Sequence, residues 1–265
     1  MDGSIVKNKR AVMALSGGMD STSLLLRLLR EGYQVTCLSY RYGQKHSIEI
    51  KKAKENIERL TDNGLKIDHR IIDLSSAMSS FYSALTNDDY VVPEGHYEEE
   101  QMKQTVVPNR NAIFSSILYG MALSISSVED KDVIIGLGVH SGDHAIYPDC
   151  RPEFYNALSN AFEIGNWDSE RVKFELPYID GNKTTILIDA LESCEYLGLD
   201  FDEILGSTIT SYNPDELGRS SGRSGSDVER ILAFYEIGRK DPIEYVESWE
   251  SVLENALQLK NEFGE

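Results

Sequence analysis

"AVMALSGGMDSTSLLLRLL", residues 11–29, joins an apolar run, a turn of small residues with one acid, and a leucine-rich helix. Ala11 to Leu15 reads as a buried strand, short, apolar and unbroken. Gly17 and Gly18 let the backbone take positive φ and come close to a ligand. Ser21 and Thr22 then open a helix whose Leu24, Leu25, Leu28 and Leu29 form one stripe. A strand, a glycine turn and a helix N-terminus make an anion site, because unpaired N–H groups and the helix dipole face the turn. The anion this implies is phosphate. A Walker loop would end in Gly-Lys-Ser/Thr, and no lysine stands here. The G-x-G-x-x-G spacing of a dinucleotide fingerprint is also absent.

Outward from this unit, short apolar strands alternate with amphipathic helices. Strands are expected at Gln34 to Tyr40, Leu65 to Leu74, Asp132 to Val139 and Val172 to Ile179. Helices are expected at about Ser47 to Leu60, with Ile50, Ala53, Ile57 and Leu60 on one face, and at Asn111 to Ser126, Pro152 to Ile164 and Thr184 to Leu197. The rhythm fails between residues 75 and 107, around "EGHYEEEQ", which reads as a flap or a solvated acidic loop. The last fifty residues read as helical, with a glycine- and serine-rich break at Gly218 to Ser226. This pattern predicts an α/β protein with a doubly wound parallel sheet and ligands at the carboxyl ends of its strands. It divides into an α/β domain over 1–200 and a C-terminal helical region over 201–265.

Bulk properties narrow the function. The 265 residues carry a net charge of −18, which argues against long nucleic acid as a partner. No apolar run of spanning length and no leader pattern is read, so no membrane is expected and the protein is placed in the cytoplasm. Cys37, Cys150 and Cys194 are too far apart in sequence to suggest a disulfide framework or a metal cluster.

Three further stretches fall at strand ends. "SYRYGQKH" (Ser39 to His46) closes the second strand where a base or ribose would lie, so Ser39, Tyr40, Tyr42, Gln44 and His46 are candidates. "VVPNRN" (Val106 to Asn111) precedes a helix and offers Arg110 toward phosphate or carboxylate, with Asn111 beside it. "HSGDHAIYPDCRPEF" (His140 to Phe154) concentrates His140, Asp143, His144, Tyr147, Asp149, Arg151 and Phe154. Its two histidines and one acid in a loop are weak evidence for a metal site, and the stretch reads better as a pocket for a polar heterocycle.

Ser16-Gly17-Gly18-Met19-Asp20-Ser21 resembles the S-G-G-x-D-S loop of the PP-loop ATP pyrophosphatases, or adenine nucleotide alpha hydrolase-like proteins. With the Y-G-Q-K-H turn, V-P-N-R-N, Y-P-D-C-R-P-E-F and Lys183 opening a helix, nearly the whole chain is similar to the 7-cyano-7-deazaguanine synthase (QueC) family of queuosine biosynthesis. The resemblance implies an enzyme that uses ATP and Mg²⁺. ATP adenylates 7-carboxy-7-deazaguanine, ammonia displaces AMP to give an amide, and a second ATP drives dehydration to the nitrile. It implies that Ser16, Gly17, Gly18, Asp20, Ser21 and Thr22 hold the nucleotide phosphates, that Ser39 and Tyr40 complete the ATP site, and that Asp20 also holds Mg²⁺. Tyr147, Asp149 and Arg151 would frame the deazaguanine, in a pocket completed by the other strand-end candidates. Arg110 and Lys183 would neutralise the leaving pyrophosphate. A homodimer is expected.

One departure stands out. The family holds a structural zinc on four cysteines, and the corresponding positions here are Ser211 in "TSYNP", then Ser221, Ser224 and Asp227 in "SSGRSGSDVER". Serine hydroxyls stay protonated near neutral pH and one aspartate cannot hold such a site, so no zinc is expected. The loss suggests either a dispensable staple or a specialised paralogue that ligates a deazaguanine to a protein amine, as QueC-like proteins of antiviral defence do. Two rival classes are a nucleotide-binding module without turnover and a tRNA-thiolating PP-loop enzyme. Asp20, Arg110 and Lys183 favour catalysis over the first. The acidic charge and the lack of a cysteine pair oppose the second.

Overall fold

The computed structural model describes residues 9–43, 48–81, 107–140, 147–210, 215 and 217–263. Five strands form its sheet: β1 (Lys9–Ala14), β2 (Tyr33–Arg41), β3 (Ile67–Asp73), β4 (Val133–Gly136) and β5 (Val172–Glu175). Their order is β3-β2-β1-β4-β5 and every neighbouring pair is parallel. The chain winds outward from β1 in both directions, so the switch point lies between β1 and β4, where an open α/β sheet leaves its crevice. The expected doubly wound parallel sheet is the observed one.

Nine helices accompany the sheet among the described residues: α1 (Met19–Arg30), α2 (Ile48–Asp62), α3 (Ser75–Met78), α4 (Arg110–Glu129), α5 (Pro152–Gly165), α6 (Lys183–Leu197), α7 (Phe201–Gly206), α8 (Gly225–Glu236) and α9 (Trp249–Phe263). The period of two along β1 sorts them into layers. Ala11, Met13 and Leu15 join the core formed with α1, α2, α6, α7 and α8. Val12 faces the opposite layer, where Leu118, Tyr119 and Ala122 of α4 pack with Tyr155 of α5. Residues of α7 and α8 thus share one core with the central strand.

Several boundaries differ from the sequence reading, each for a local reason. β5 stops at Glu175, short of Ile179, because Pro177 has no N–H to give a ladder. β4 ends at Gly136, and the chain then passes against α1 so closely that a Cβ at Gly138 would lie 3.1 Å from the Asp20 carbonyl carbon. A short helix, α3, occupies part of the stretch read as irregular, and residues 82–106 lie outside the described ones. Among the described residues the C-terminal region is helical in α7, α8 and α9 rather than throughout its last fifty residues. Between α8 and α9, Gly238, at φ 71°, and Pro242 break the chain. Contrary to the expectation of no spanning run, α4 is long and apolar enough by composition to cross a bilayer. Its inner face is committed to the sheet, with Leu118 and Ala122 fully buried.

The C-terminal helices are tied down by a buried polar knot. Arg230 of α8 donates Nε and Nη2 to the two Asp241 carboxylate oxygens at 2.6 and 2.9 Å. Nη1 donates to Thr208 and Thr210 hydroxyls at 2.7 and 3.0 Å, and Nη2 also reaches the Leu205 carbonyl at 3.1 Å. All five guanidinium N–H groups are therefore used. Tyr245 gives its hydroxyl proton to Asp241 at 2.8 Å, and neither member of the ion pair is exposed. Arg230→Ala leaves Asp241 buried and uncompensated, and it should cost about 3–5 kcal/mol of stability in urea unfolding. An unchanged midpoint would show that the knot does not hold the C-terminal region.

Candidate functional site

The loop after β1 sits where the winding reverses. Gly17 takes φ 88°, and a Cβ there would stand 2.3 Å from the Glu49 carbonyl oxygen and 3.0 Å from the Ala53 nitrogen of α2. On the other side, Ile209 donates its N–H to the Gly17 carbonyl at 3.1 Å. The loop is pinched between α2 and the 208–210 segment, and only glycine fits. Within it, Ser21 donates to the Gly18 carbonyl at 3.2 Å, and the Gly18 N–H donates to Ser16 Oγ at 3.2 Å. The loop is folded on itself before any ligand arrives.

Asp20 and Lys183 meet across this loop. Asn182 caps α6 and exchanges hydrogen bonds with Thr185, which fixes Lys183 in the first turn. Lys183 Nζ donates to Asp20 Oδ2 at 2.9 Å and lies 3.2 Å from His140 Nε2. It also comes within 3.8 Å of Glu229 on α8. Burial alone would raise the Asp20 carboxyl, but Lys183 and then His140 outweigh it and hold it below the usual range. Asp20 Oδ1 is buried with no hydrogen-bond partner, which leaves a hard oxygen donor aimed away from the lysine.

A cavity of about 270 Å³ opens beside the loop. Ser16, Gly18, Asp20, Ser21, Ser39, Tyr40, Tyr42, Arg110, Asn111, Tyr147 and Lys183 line it, so the structure brings these expected residues together. Tyr40 stacks on Phe114 with ring centroids 4.0 Å apart, and Tyr42 tilts against the same ring. Ser39 donates to the Leu15 carbonyl at 2.6 Å and contacts His69. Asn109, at φ 60°, caps α4 and places Arg110 and Asn111 in its first turn. Asn111 Nδ2 then donates to the Asp149 carbonyl at 3.3 Å, which ties the Tyr147–Cys150 turn to α4.

Other expected residues stand elsewhere. Gly17 shapes the loop without lining the cavity, and Thr22 is fully buried inside the α1 packing with its hydroxyl unpartnered. His140 stands behind the cavity lining, 3.2 Å from Lys183 Nζ and 3.9 Å from Asp20 Oδ2. Asp149 is half-buried, Arg151 is exposed, and Phe154 packs edge-on against Tyr155. Gln44, His46, Asp143, His144 and Ser211 lie outside the described residues.

The sequence reading missed a second group of lining residues. Glu49, Phe114 and Ser115 come from α2 and α4, and Thr210, Ser226 and Glu229 come from the C-terminal region. Burial pushes the Glu49 carboxyl up to about 7 against the pull of Arg110. Its place in the first turn of the expected second helix was the one available signal.

Of the four positions expected to correspond to zinc cysteines, Ser221, Ser224 and Asp227 are among the described residues, and their chemistry does not fit a metal. Asp227 is fully buried, and its oxygens accept from Ser220 Oγ at 2.6 Å, Ser221 Oγ at 3.5 Å and the Ser224 N–H at 3.4 Å. Ser224 and Asp227 form the capping box of α8. Among the described residues no group of three or more His, Cys, Asp and Glu could hold a metal ion.

A parallel doubly wound sheet with a self-bonded glycine loop at its switch point, closing on a buried carboxylate–lysine pair, defines a nucleotide-binding α/β protein of the PP-loop kind. The family described as "Queuosine biosynthesis protein QueC" matches residues 10–238, and the chain belongs to that family. A relative from Hahella chejuensis, named 7-cyano-7-deazaguanine synthase, is 44% identical over 92% of this chain and 96% of its own length. One of the same name from Caldicellulosiruptor saccharolyticus is 43% identical over 89% and 95%. Among solved structures, NMN synthetase from Francisella tularensis is similar at a TM-score of 0.40 and 15% identity, over 97% of this chain and 87% of that one.

Two measurements check the site's construction. Gly17→Ala should lower stability by about 1–3 kcal/mol or more, because the new Cβ meets α2 and the φ is strained. Wild-type stability in that variant would mean that the loop is not pinched. Metal analysis of the purified protein should find no stoichiometric zinc, and chelators should leave its unfolding curve unchanged.

Proposed function

We propose that this chain is a cytoplasmic ATP-dependent ligase, forming AMP and pyrophosphate, that activates 7-carboxy-7-deazaguanine and converts it to the amide and then the nitrile. The observation that carries this reading is the Asp20–Lys183 pair at a pinched glycine loop, in a chain of the QueC family. The loop's N–H groups and the Ser16 and Ser21 hydroxyls receive the phosphates of ATP. Asp20 Oδ1, a hard donor with no protein partner, suits Mg²⁺, which would neutralise phosphate charge when bound. Lys183 and Arg110 face the same cavity and stabilise the charge that develops on leaving pyrophosphate.

The heterocycle takes the wall of Tyr42, Asn111 and Tyr147. Asn111 grips the 147–150 turn at the Asp149 carbonyl, which holds Tyr147 in the wall; the Asp149 carboxylate, beside the cavity without lining it, is the acceptor assigned to a guanine-like N–H edge. The carboxylate to be activated then points toward Lys183 and the phosphates. Adenylation of that carboxylate cleaves ATP between its α- and β-phosphates and releases pyrophosphate.

A second reading keeps the adenylation and changes the acceptor. Thr210, Ser226 and Glu229 bring the altered C-terminal region to the cavity edge, where an amine carried on a protein could enter. Mass spectrometry of products from ATP, the carboxylic acid and ammonia separates the two readings. Nitrile supports the first, and an amide that accumulates without nitrile favours the second. Asp20→Asn should reduce pyrophosphate release by about 10²-fold or more. Release of ADP and phosphate by the wild type would overturn both readings.

A further inference from the structure

The ligase reading leaves one proton without a destination. When a neutral nitrogen attacks the acyl adenylate, its lone pair forms the C–N bond and the C–O bond to AMP breaks with its electrons on the phosphate. The nitrogen must then shed a proton. Asp20 is a poor acceptor, because Lys183 holds its carboxyl low. Tyr40 and Tyr42 are kept protonated by burial. Glu229 stands at the C-terminal edge of the cavity, beside Lys183.

We propose that Glu49 is the group that accepts this proton in the amide-forming step. The proposal rests on the ligase reading and deepens it. Its geometric basis is the pinch at Gly17. The Glu49 carbonyl abuts the phosphate loop, so backbone packing fixes the first turn of α2 there. Glu49 lines the cavity and interacts with Tyr42, of the wall assigned to the heterocycle, and with Arg110, assigned to the leaving pyrophosphate. Glu49 therefore bridges the phosphate end and the substrate end, where the acyl–phosphate bond has to lie. Ser115 also lines this cavity, with its buried hydroxyl unpartnered, and could hand a hydrogen bond to a guest there.

The charges around Glu49 are few among the described residues. Arg110 faces it from α4 and Tyr42 from the end of β2. On its own helix, Lys52 is 3.6 Å from Glu55 and paired there. Burial outweighs Arg110 and brings the carboxyl to about 7, the range in which a general base both exists ionised and retains affinity for a proton. The ionised fraction falls as pH drops below that value, so amide formation should fall with it.

The experiment compares wild type, Glu49→Gln and Glu49→Asp in two assays. One is ATP–pyrophosphate exchange dependent on 7-carboxy-7-deazaguanine. The other is amide formation, expressed per unprotonated ammonia, from about pH 6 to about pH 9. The expected result is a fall in the ratio of amide formation to exchange of about 10²- to 10⁴-fold in Glu49→Gln, with loss of the acid-side inflection. Glu49→Asp should recover part of the rate and keep the inflection. Equal loss in both assays, or a wild-type pH profile in Glu49→Gln, overturns the proposal and leaves the ligase reading standing. If Glu49→Gln does not unfold cooperatively, the wild-type profile and Glu49→Asp decide: a flat wild-type profile overturns the assignment. No acid-dependent exchange in the wild type overturns the ligase reading, and this proposal with it.

Discussion

The pinch at Gly17 is the constraint on which the rest of the site depends. Two backbone segments remote in sequence meet one residue, α2 packed against its Cα and Ile209 hydrogen-bonded to its carbonyl. A side chain there would push α2 away and strain the backbone whose carbonyl Ile209 holds, and the loop's N–H groups would lose the curvature that converges them on an anion. The same contact sets the first turn of α2 and hence Glu49, and it sets Ile209 and Thr210 at the cavity edge. One missing Cβ thus positions groups from both ends of the chain.

That contact holds only if residues 208–210 are themselves held, which is the work of Arg230. Its guanidinium fastens Thr208 and Thr210 while Asp241 balances its charge in a dry interior. A buried ion pair of this kind gains little net stability over an apolar pair of similar shape. What it supplies is direction, since five donors in a fixed fork accept only one arrangement of partners. A few residues before it, Asp227 gathers Ser220, Ser221 and Ser224 in the same manner. Where the family places a metal, this chain orders α8 with a carboxylate and hydroxyls.

Much of this was legible in the sequence because it is local. The strand–glycine–helix unit at 11–29 follows from period and residue type, and so does the alternation that gives a parallel sheet. Lys183 was found through its motif, and the capping box beside it explains its aim. Glu49, Ser115 and Glu229 were missed because each belongs to a helix whose pattern reads only as packing, and a polar residue facing a crevice looks like one facing water. The partner of Arg230 was hidden for a related reason: a fully buried arginine in an amphipathic helix carries no mark of burial until its counter-charge is located. Strand ends were overextended at β4 and β5 because apolar residues continue past the ladder, where Gly138 and Pro177 redirect the backbone.

The charge balance is the last point at which local and global readings part. A chain with net charge −18 should repel a nucleotide triphosphate and a carboxylate alike. Salt screens charges beyond about 8 Å at physiological ionic strength, so the acidic surface contributes little inside the crevice. Within it, Arg110, Lys183, the loop N–H groups and the α1 N-terminus all present positive charge or dipole to one small volume. The acids that share this volume are restrained differently: Asp20 and Glu229 by the neighbouring Lys183, and Glu49 by burial that favours its neutral form. The cavity can therefore receive two anions in a protein that is acidic overall, because what matters to a bound ligand is the field of the groups it touches.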